Sequence, residues 1–279
     1  MKAIQVEEYG NPAEVLKVVD LPDVGAPAAG EVVIEVEASP INQYDLLLIA
    51  GGYGYRPRLP AIMGTEGAGR VVVAAGVNPP TAYLLLTDVV KLPPGSWVIQ
   101  DGANSGVGRA TVAIAKALGL RTVSVVRRDA VVAELKALGG DVVLVDGPDL
   151  GQRVAAETGN APIRLALDGV SDTSPMNLMS CLSEGGVLVS YGGTSRKPMV
   201  VHPGSFIFRK QTVRGFWLRY WYQSAGPDDV TAMFDRLAPL VAAGTISTPV
   251  AATYGFDQVG EAITKATQSG GKVLFTPNA

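Results

Sequence analysis

The chain has 279 residues, of which 47% are apolar and 33 are glycine, so it is long enough to form two packed cores of modest size. Its formal net charge of −3 arises from residues of both signs, which leaves no basic face for nucleic acid and no acidic tail. The single cysteine, Cys181, excludes an intrachain disulfide framework and favours a reducing compartment.

The first residues, "KAIQVEEY" (2–9), read as a strand and lack the cationic start and apolar core of a secretory peptide. No apolar run approaches the roughly 18 residues that a bilayer span needs. We therefore expect a soluble, cytoplasmic protein with neither nucleic acid nor membrane as a partner.

The first 75 residues are predicted to be rich in β-strands, with little helical pattern. The segment "EVVIEVEA" (31–38) alternates Val32, Ile34 and Val36 on one face, as a half-buried strand does. From residue 95 onwards, short apolar runs alternate with helical stretches. This alternation predicts an α/β domain with a doubly wound parallel sheet, because each crossover between parallel strands lays a helix over the sheet.

The doubly wound domain is predicted to span 78–249, and a second, β-rich domain combines 1–77 with 250–279. The predicted strands of the first are "SWVIQ" (96–100), "TVSVV" (122–126), "DVVLV" (141–145), "IRLALD" (163–168), "GVLVSYG" (186–192) and "TVRGFW" (212–217). Helices are predicted at 107–118, 130–138, 175–182 and 228–242. The tail (248–275) is predicted to form strand, helix and strand. An exposed sheet edge at 212–218 would suit a homodimer.

A dinucleotide site is predicted at "WVIQDGANSGVGRATVAIAKALGL" (97–120), where a strand, a glycine-rich turn and a helix follow one another. The first amides of the helix lack intrahelical partners and carry the positive end of its dipole, so a pyrophosphate can bind there. The G-x-G-x-x-G pattern itself is not present, because its positions hold Ala103, Ser105 and Gly108. A glycine-rich turn without a ligand is the alternative, and the flanking strand and helix favour the cofactor.

Arg127 and Arg128 directly follow the second strand of this domain. An enzyme that prefers NAD usually has Asp or Glu here, whereas arginine suits the 2′-phosphate of NADP. NADPH is therefore the expected cofactor. The alternative is a pair of solvated surface arginines.

Six segments carry a resemblance to a known family: "GVNPPTAYLLL", "WVIQDGANSGVGR", "RTVSVVRR", "IRLALDGV", "RGFWL" and "GGKVLF". Together they resemble the zinc-free medium-chain dehydrogenase/reductases, most closely the NADPH-dependent trans-2-enoyl-thioester reductases of fatty acid synthesis. The resemblance implies a Rossmann domain and a GroES-like domain. Zinc-dependent relatives carry Cys and His ligands where this chain has Asn42 and Thr65, and one Cys plus one His cannot build a tetrahedral zinc site. We expect no metal.

The resemblance implies a small-molecule substrate, a 2-enoyl thioester or an enone, and hydride addition to its activated C=C bond. A hydrogen-bond donor would stabilise the charge that develops on the carbonyl oxygen. In "GGYGYRPRLPA" (51–61), Tyr53 occupies the position of the family's catalytic tyrosine, and Tyr55 is the neighbouring alternative. Asn42 resembles the active-site asparagine and Trp217 the pocket tryptophan of the family. Each of these residues also has a simple packing role as its alternative.

The resemblance also implies the residues that hold the cofactor. They are Asn78, Thr81, Asn104, Ser105, Gly106, Val107, Gly108, Arg127, Arg128, Tyr191, Gly192, Phe206, Phe208 and Lys272.

The chain departs from the family between "VVVAAGV" (71–77) and "NPPTAY" (78–83), where members normally have further strands of the first domain. Either the protein has lost this segment or the sequence omits it. A genuine loss shortens the GroES-like domain and removes one wall of the substrate cleft. Two other functions therefore stay open: a quinone oxidoreductase of the same superfamily, and a nucleotide-binding protein with impaired catalysis.

Overall fold

The computed structural model describes residues 1–24, 34, 36–69, 77–247, 249–268 and 271–276. The chain divides into two compact units, Met1–Gly76 together with Thr248–Ala279, and Val77–Ser247. None of the helices in the described ranges combines the length and apolar character that a bilayer span requires.

The strands are β1 (Lys2–Val6), β2 (Leu16–Asp20), β3 (Val36–Ile41), β4 (Ala61–Ile62), β5 (Ala68–Gly69), β6 (Trp97–Gln100), β7 (Arg121–Val126), β8 (Val142–Val145), β9 (Ile163–Asp168), β10 (Val187–Ser190), β11 (Thr212–Gly215), β12 (Val250–Tyr254) and β13 (Lys272–Phe275). The helices are α1 (Pro12–Val15), α2 (Gln43–Ile49), α3 (Asn78–Thr87), α4 (Gly106–Ala117), α5 (Val132–Ala137), α6 (Leu150–Thr158), α7 (Ser174–Cys181), α8 (Pro203–Ile207), α9 (Leu218–Ser224), α10 (Pro227–Ala242) and α11 (Val259–Gln268).

The unit Val77–Ser247 is built on a six-stranded sheet in the order β11-β10-β9-β6-β7-β8. All neighbouring strands pair in parallel, which confirms the predicted doubly wound sheet. The chain runs outwards from β6 to β8 and then restarts at β9 on the other side of β6. The strand order therefore reverses between β6 and β9, and such a point opens a crevice at the carboxyl ends of the strands.

Two apolar cores cover the faces of this sheet. One packs α3, α4 and α10 against it through Leu85, Ile114 and Leu237, and the other packs α6 and α7 through Leu150 and Leu178. All five side chains are fully buried, and each contributes about 1.5–3 kcal/mol through the area it removes from water. The central strands are fixed from both sides, so the loops at their ends have a rigid base.

Several helices were not predicted. Both α3 and α6 lie in stretches without a helical assignment, and α2 interrupts the part predicted to be β-rich. In α3, buried residues occupy all sides of the helix, so the sequence shows no apolar stripe to mark it. The helices predicted at 107–118, 175–182 and 228–242 are confirmed within one residue as α4, α7 and α10.

The other unit contains two small sheets, β2-β1-β4 and β12-β13-β3-β5. β13 pairs antiparallel with β3, and their residues Val273 and Ile41 lie opposite each other in one core. The strand predicted at 31–38 begins only at Val36; residues 31–33 and 35 lie outside the described residues, and Ile34 is not in a strand. The segment "VVVAAGV" (71–77), after which the chain departs from the family, also lies outside the described residues, except for Val77.

The free edge of the six-stranded sheet is shorter than predicted. β11 is the edge strand, and it ends at Gly215 instead of continuing to Leu218. Trp217 occupies the cap position before α9, and Leu218 turns into the core as the first residue of that helix. The apolar run "GFWL" thus marks the change from strand to helix.

Candidate functional site

The glycine-rich turn lies at the carboxyl end of β6, beside the point where the strand order reverses. It occupies 101–105, between Gln100 and Gly106. The Ser105 side chain accepts the N–H of Gly108 at 3.1 Å, and Gln100 Nε2 donates to the Gly108 carbonyl at 3.0 Å. The predicted strand, turn and helix are thus present, and the positive end of the α4 dipole faces the sheet's carboxyl edge.

Two glycines in α4 lie in close packing: at Gly108 the backbone leaves no room for a side chain, whereas at Gly106 the Asn78 side chain would have to move. A Cβ on Gly106 would lie 2.4 Å from Asn78 Nδ2, and a Cβ on Gly108 would lie 2.6 Å from the Ala103 backbone. Ser105 is exposed, while Asn104, Gly106 and Val107 are half-buried and Thr81 is buried in α3. The small residues keep a side-chain amide and the turn against the helix N-terminus, an arrangement that fits a pyrophosphate.

Arg127 and Arg128 are both exposed at the end of β7, the strand that pairs with β6. They lie at the same carboxyl edge of the sheet as the glycine-rich turn. No carboxylate occupies either position, which is where an acidic residue would bind the ribose of NAD. The site therefore offers two guanidinium groups to a 2′-phosphate.

Tyr191 links a third strand to this turn. It follows β10, its N–H donates to the Asp168 carbonyl at 2.9 Å, and Ser105 acts on its hydroxyl by lowering its pKa against the effect of burial. A Cβ on Gly169 would lie 2.8 Å from the Tyr191 hydroxyl oxygen. Burial raises the pKa of Tyr191 above its ordinary value, so the phenol stays protonated. Gly192 follows it as an exposed residue.

The other unit holds a buried polar cluster at the start of α2. Asn42 is 4% exposed, and the Lys272 ammonium group donates a hydrogen bond to Asn42 Oδ1. Asp45 Oδ2 accepts the Asn42 N–H at 2.8 Å, and Asp45 Oδ1 accepts the Thr65 hydroxyl at 3.2 Å. The structure thus brings together Asn42 and Lys272, which the sequence assigned to different parts of the site.

The Asn42 side chain keeps one donor for a further partner. Its Nδ2 is buried and has no hydrogen-bond partner among the residues that the structure describes. Because Lys272 can only donate, it fixes the amide with Oδ1 towards the ammonium group and Nδ2 on the opposite side. A buried amide donor of this kind is costly unless it receives an acceptor.

Burial shifts both ionisable groups of the cluster towards their neutral forms. It raises the pKa of Asp45 to about 6, although the hydrogen bonds from Asn42 and Thr65 oppose the shift. It also lowers the pKa of Lys272, against the opposing charges of Glu66 and Asp45. The sequence reading missed Asp45, although its position three residues after Asn42 is a capping-box signal.

Tyr53 is half-buried and packs on Tyr44, with 5.6 Å between the ring centroids. Tyr55 is 41% exposed. Burial, followed by the charge of Asp45, raises the pKa of Tyr44, which places that ring beside the same cluster. Tyr53 thus packs on a ring that lies beside the Asn42 cluster, and its catalytic role stays a prediction.

The remaining assigned residues lie on α8 and before α9. Trp217 packs edge to face on Tyr220, with 4.8 Å between the ring centroids. Phe206 and Phe208 are exposed, Phe208 at 79%. Nothing in these contacts joins them to the glycine-rich turn, so their roles in binding stay predictions. Among the described residues, no group of three His, Cys, Asp or Glu side chains could hold a metal ion.

Comparison with known proteins places the chain in a family. Two family models match: the alcohol dehydrogenase GroES-like domain over residues 28–135 and the zinc-binding dehydrogenase over 106–238. A mitochondrial enoyl-acyl-carrier-protein reductase of Rattus norvegicus is 31% identical, over 89% of this chain and 81% of the relative. The chain belongs to the enoyl-thioester reductases of the medium-chain dehydrogenase/reductase superfamily. The corresponding protein of Mus musculus is 30% identical over 98% of this chain and 88% of the relative.

Solved structures of this superfamily share the fold. The Etr1p complex with NADP and crotonyl-CoA has a TM-score of 0.83 and 23% identity, with 99% of both chains covered. An Etr1p/Etr2p heterodimer from Candida tropicalis has a TM-score of 0.83 and 25% identity, with the same coverage. A putative NADPH:quinone reductase from Bacillus thuringiensis has a TM-score of 0.84 and 23% identity, covering 99% of this chain and 98% of the other.

This chain is shorter than the relatives it matches. The alignment with the Mus musculus protein runs over 330 positions, whereas the chain has 279 residues. At least 51 aligned positions of the relative therefore have no counterpart in this chain. The family pattern breaks between "VVVAAGV" and "NPPTAY", which indicated that a segment is missing from the sequence. The difference in length agrees with this prediction.

Replacing Gly108 by alanine should destabilise the Rossmann unit and weaken the turn. The added Cβ collides with the Ala103 backbone, and overpacking of this kind costs about 1–3 kcal/mol. Gly260→Ala in α11 is the matched control, because nothing lies within 4 Å of its Cβ position, and we expect it to stabilise by about 0.4–1 kcal/mol. Denaturant unfolding measures both. Equal stability of Gly108→Ala and the unmodified protein would show that the turn adjusts.

Proposed function

We propose that this protein catalyses the NADPH-dependent reduction of the activated C=C bond of 2-enoyl thioesters. The observation that carries the proposal is the match to curated enoyl-acyl-carrier-protein reductases at 31% identity over 89% of the chain. Two features support the proposal: the glycine-rich turn is suited to binding the cofactor, and the buried Asn42 cluster is suited to donating a hydrogen bond to the substrate. Coenzyme A and acyl carrier protein are both carriers of such thioesters, and the relatives' names point to the second.

The residues that would hold NADPH all lie in the unit Val77–Ser247, apart from Lys272. The amides at the start of α4, with Asn78 beside them, suit the pyrophosphate, and Arg127 and Arg128 suit the 2′-phosphate. When bound, NADPH supplies the hydride that reduces the β-carbon of the enoyl group. The rigid sheet below the turn fixes these binding groups before the cofactor arrives.

Two donors of the GroES-like unit are candidates for stabilising the reacting thioester. Reduction at the β-carbon develops negative charge on the thioester oxygen, and a hydrogen-bond donor aimed at that oxygen lowers the barrier. The Tyr53 hydroxyl and the free Asn42 Nδ2 can both donate. Lys272 fixes the amide orientation of Asn42, and burial excludes water that would compete for the donor.

A quinone oxidoreductase is the second candidate, because a quinone reductase shares this fold with a TM-score of 0.84. A nucleotide-binding protein without turnover is the third, because the missing segment belongs to the wall of the substrate cleft in the family. We also propose a homodimer that forms through the free edge of β11, which analytical ultracentrifugation tests. A cytoplasmic location stays a proposal that cell fractionation tests.

The double variant Arg127→Ala with Arg128→Ala should lose its preference for NADPH. Each lost hydrogen bond to a charged phosphate costs about 1.5–3 kcal/mol, which is about 10–150-fold in Kd, so the Kd for NADPH should rise by at least this factor while the Kd for NADH stays constant. Fluorescence titration of both cofactors measures this. Arg164→Ala is the control. This exposed arginine is the second residue of β9 and lies near the amino end of that strand, whereas Arg127 and Arg128 follow the carboxyl end of β7. Equal Kd values for the two cofactors in the unmodified protein would refute the assignment.

Tyr53→Phe should lower kcat on an enoyl thioester about 10²–10³-fold, the usual effect of removing one donor to a developing oxyanion. The Kd for NADPH should stay within about twofold of the unmodified value, because the hydroxyl acts on the substrate and not on the cofactor. Tyr55→Phe is the control and should keep its turnover. Steady-state kinetics with crotonyl-CoA measure all three proteins, and a loss confined to Tyr55→Phe would reverse the assignment of the two tyrosines.

Intact mass and an acceptor panel test the proposed reaction together. If the mass is 29.0 kDa, we expect NADPH binding to survive and turnover to fall below the range of roughly 1–10³ s⁻¹ typical of enzymes, because the cleft lacks a wall. Crotonyl-CoA should still react faster than a naphthoquinone. The reverse order would favour the quinone oxidoreductase, and NADPH binding without any turnover would favour the nucleotide-binding protein. A larger mass would show that the segment is present.

A further inference from the structure

Two aspartates are buried next to each other where the strand order reverses. Asp101 directly follows β6, and Asp168 is the last residue of β9, the strand that pairs with β6. The N–H of Asp101 donates to the Leu167 carbonyl at 3.1 Å. The two aspartates therefore lie next to each other at the carboxyl ends of neighbouring strands. They are 2% and 0% exposed, respectively.

The Asp101 carboxyl group joins the glycine-rich turn to two other segments. Its Oδ1 accepts the N–H of Gly169 at 2.7 Å, and its Oδ2 accepts the Ser174 hydroxyl at the start of α7, also at 2.7 Å. Asp101 itself is the first residue of the turn that ends at Ser105. The position of the turn is therefore tied to the loop that follows β9.

The Asp168 carboxyl group holds that loop and the end of β10. Its Oδ1 accepts the N–H groups of Val170 and Ser171 at 3.1 and 2.8 Å, and its Oδ2 accepts the Ser190 hydroxyl at 2.8 Å. Ser190 is followed by Tyr191, whose N–H donates to the Asp168 carbonyl at 2.9 Å. Three strand ends thus converge on the two carboxyl groups.

Among the residues that the structure describes, the pair has no counter-ion. Within the described ranges, no lysine, arginine or histidine forms a hydrogen bond or ion pair with either carboxyl group. The other titratable group beside them, Tyr191, is a neutral phenol. Burial, followed by the charge of Asp168, raises the pKa of Asp101 well above its ordinary value. Two ionised carboxylates at this dry position would repel each other without compensation.

We propose that Asp101 and Asp168 share a single proton, and that this protonated pair positions the dinucleotide turn. Asp101 is thus a positioning residue: it acts on the cofactor through the turn that begins with it and through the loop at Gly169. Loss of the shared proton would drive the carboxylates apart and separate the turn from that loop. The link to the cofactor rests on the proposed NADPH site, whereas the shared proton does not.

The shared proton makes stability depend on pH in a defined direction. Asp101 keeps its proton in the folded protein, whereas in the unfolded chain it ionises near its ordinary pKa of about 3.9. Its contribution to stability is fully present below that unfolded pKa and is lost as the pH rises through the folded pKa. Between the two, the folding equilibrium constant falls about tenfold per pH unit relative to a protein that lacks this proton.

Asp101→Asn tests the shared proton, because asparagine imitates the neutral carboxyl group. Denaturant unfolding from pH 5 to pH 8 without cofactor should show the variant gaining stability over the unmodified protein, by about tenfold in the folding equilibrium constant per pH unit until the folded pKa is reached. Asp146→Asn is the matched control. Asp146 accepts hydrogen bonds from Gly147 and Asn177, and its variant should show no such trend. A constant difference between Asp101→Asn and the unmodified protein over this range would overturn the shared proton.

The positioning role is tested by NADPH titration at pH 7. Asp101→Asn should bind NADPH within about threefold of the unmodified protein, whereas Asp101→Ala should bind about tenfold more weakly or worse, because Gly169 and Ser174 lose their acceptor. Equal losses in both variants, or no loss in Asp101→Ala, would overturn the role. If Asp101→Ala does not fold, the NADPH affinity of Asp101→Asn decides the matter, because a Kd well over threefold above that of the unmodified protein overturns the positioning role. Failure of the unmodified protein to bind NADPH would refute the proposed function, and the pH series would still decide the shared proton.

Discussion

The parallel pairing of β6 with β9 is the interaction on which the nucleotide-binding unit depends. Because the strand order reverses there, the loops after these two strands diverge above the sheet and leave room between helices for a ligand. Both strands are buried apart from Arg164, so the polar groups at their carboxyl ends must satisfy one another. The hydrogen bond that Gln100 donates to α4 and the one that the Gly108 N–H donates to Ser105 are local consequences of that requirement.

The GroES-like unit also buries polar groups that require hydrogen-bond partners, but there the requirement is met less completely. The cluster of Asn42, Asp45 and Lys272 satisfies its members only in part, since Asn42 Nδ2 keeps an open donor position. Burial moves the pKa of Asp45 upwards and that of Lys272 downwards, which favours the neutral forms. Under the proposed function, this unit supplies polarised hydrogen-bond donors and the Rossmann unit supplies anion-binding amides and guanidinium groups.

Sequence patterns predicted the Rossmann unit well because its strands are continuous apolar runs and its helices carry an apolar stripe, as around Ile114 in α4. They failed at α3, which is buried on all sides, and at the short α2. The glycine-rich turn was recognisable from its flanking elements. Asp101 and Asp168 were not singled out, because a polar residue at the end of an apolar strand looks the same whether it meets solvent or another carboxyl group. That distinction depends on strand order, which no local pattern contains.

The pairing of β13 with β3 has a consequence for biosynthesis. A ribosome releases the chain from its N-terminus, and domains that are continuous in sequence can fold as soon as they emerge. The Rossmann unit meets this condition. By contrast, β3 can pair with β13 only after almost the whole chain has been synthesised, since Lys272 in β13 and Asn42 after β3 are 230 residues apart. Until then β3 lacks that neighbour and its polar cluster is incomplete. The nascent protein thus passes through a stage in which the Rossmann unit can be complete while β3 of the GroES-like unit still lacks its β13 neighbour.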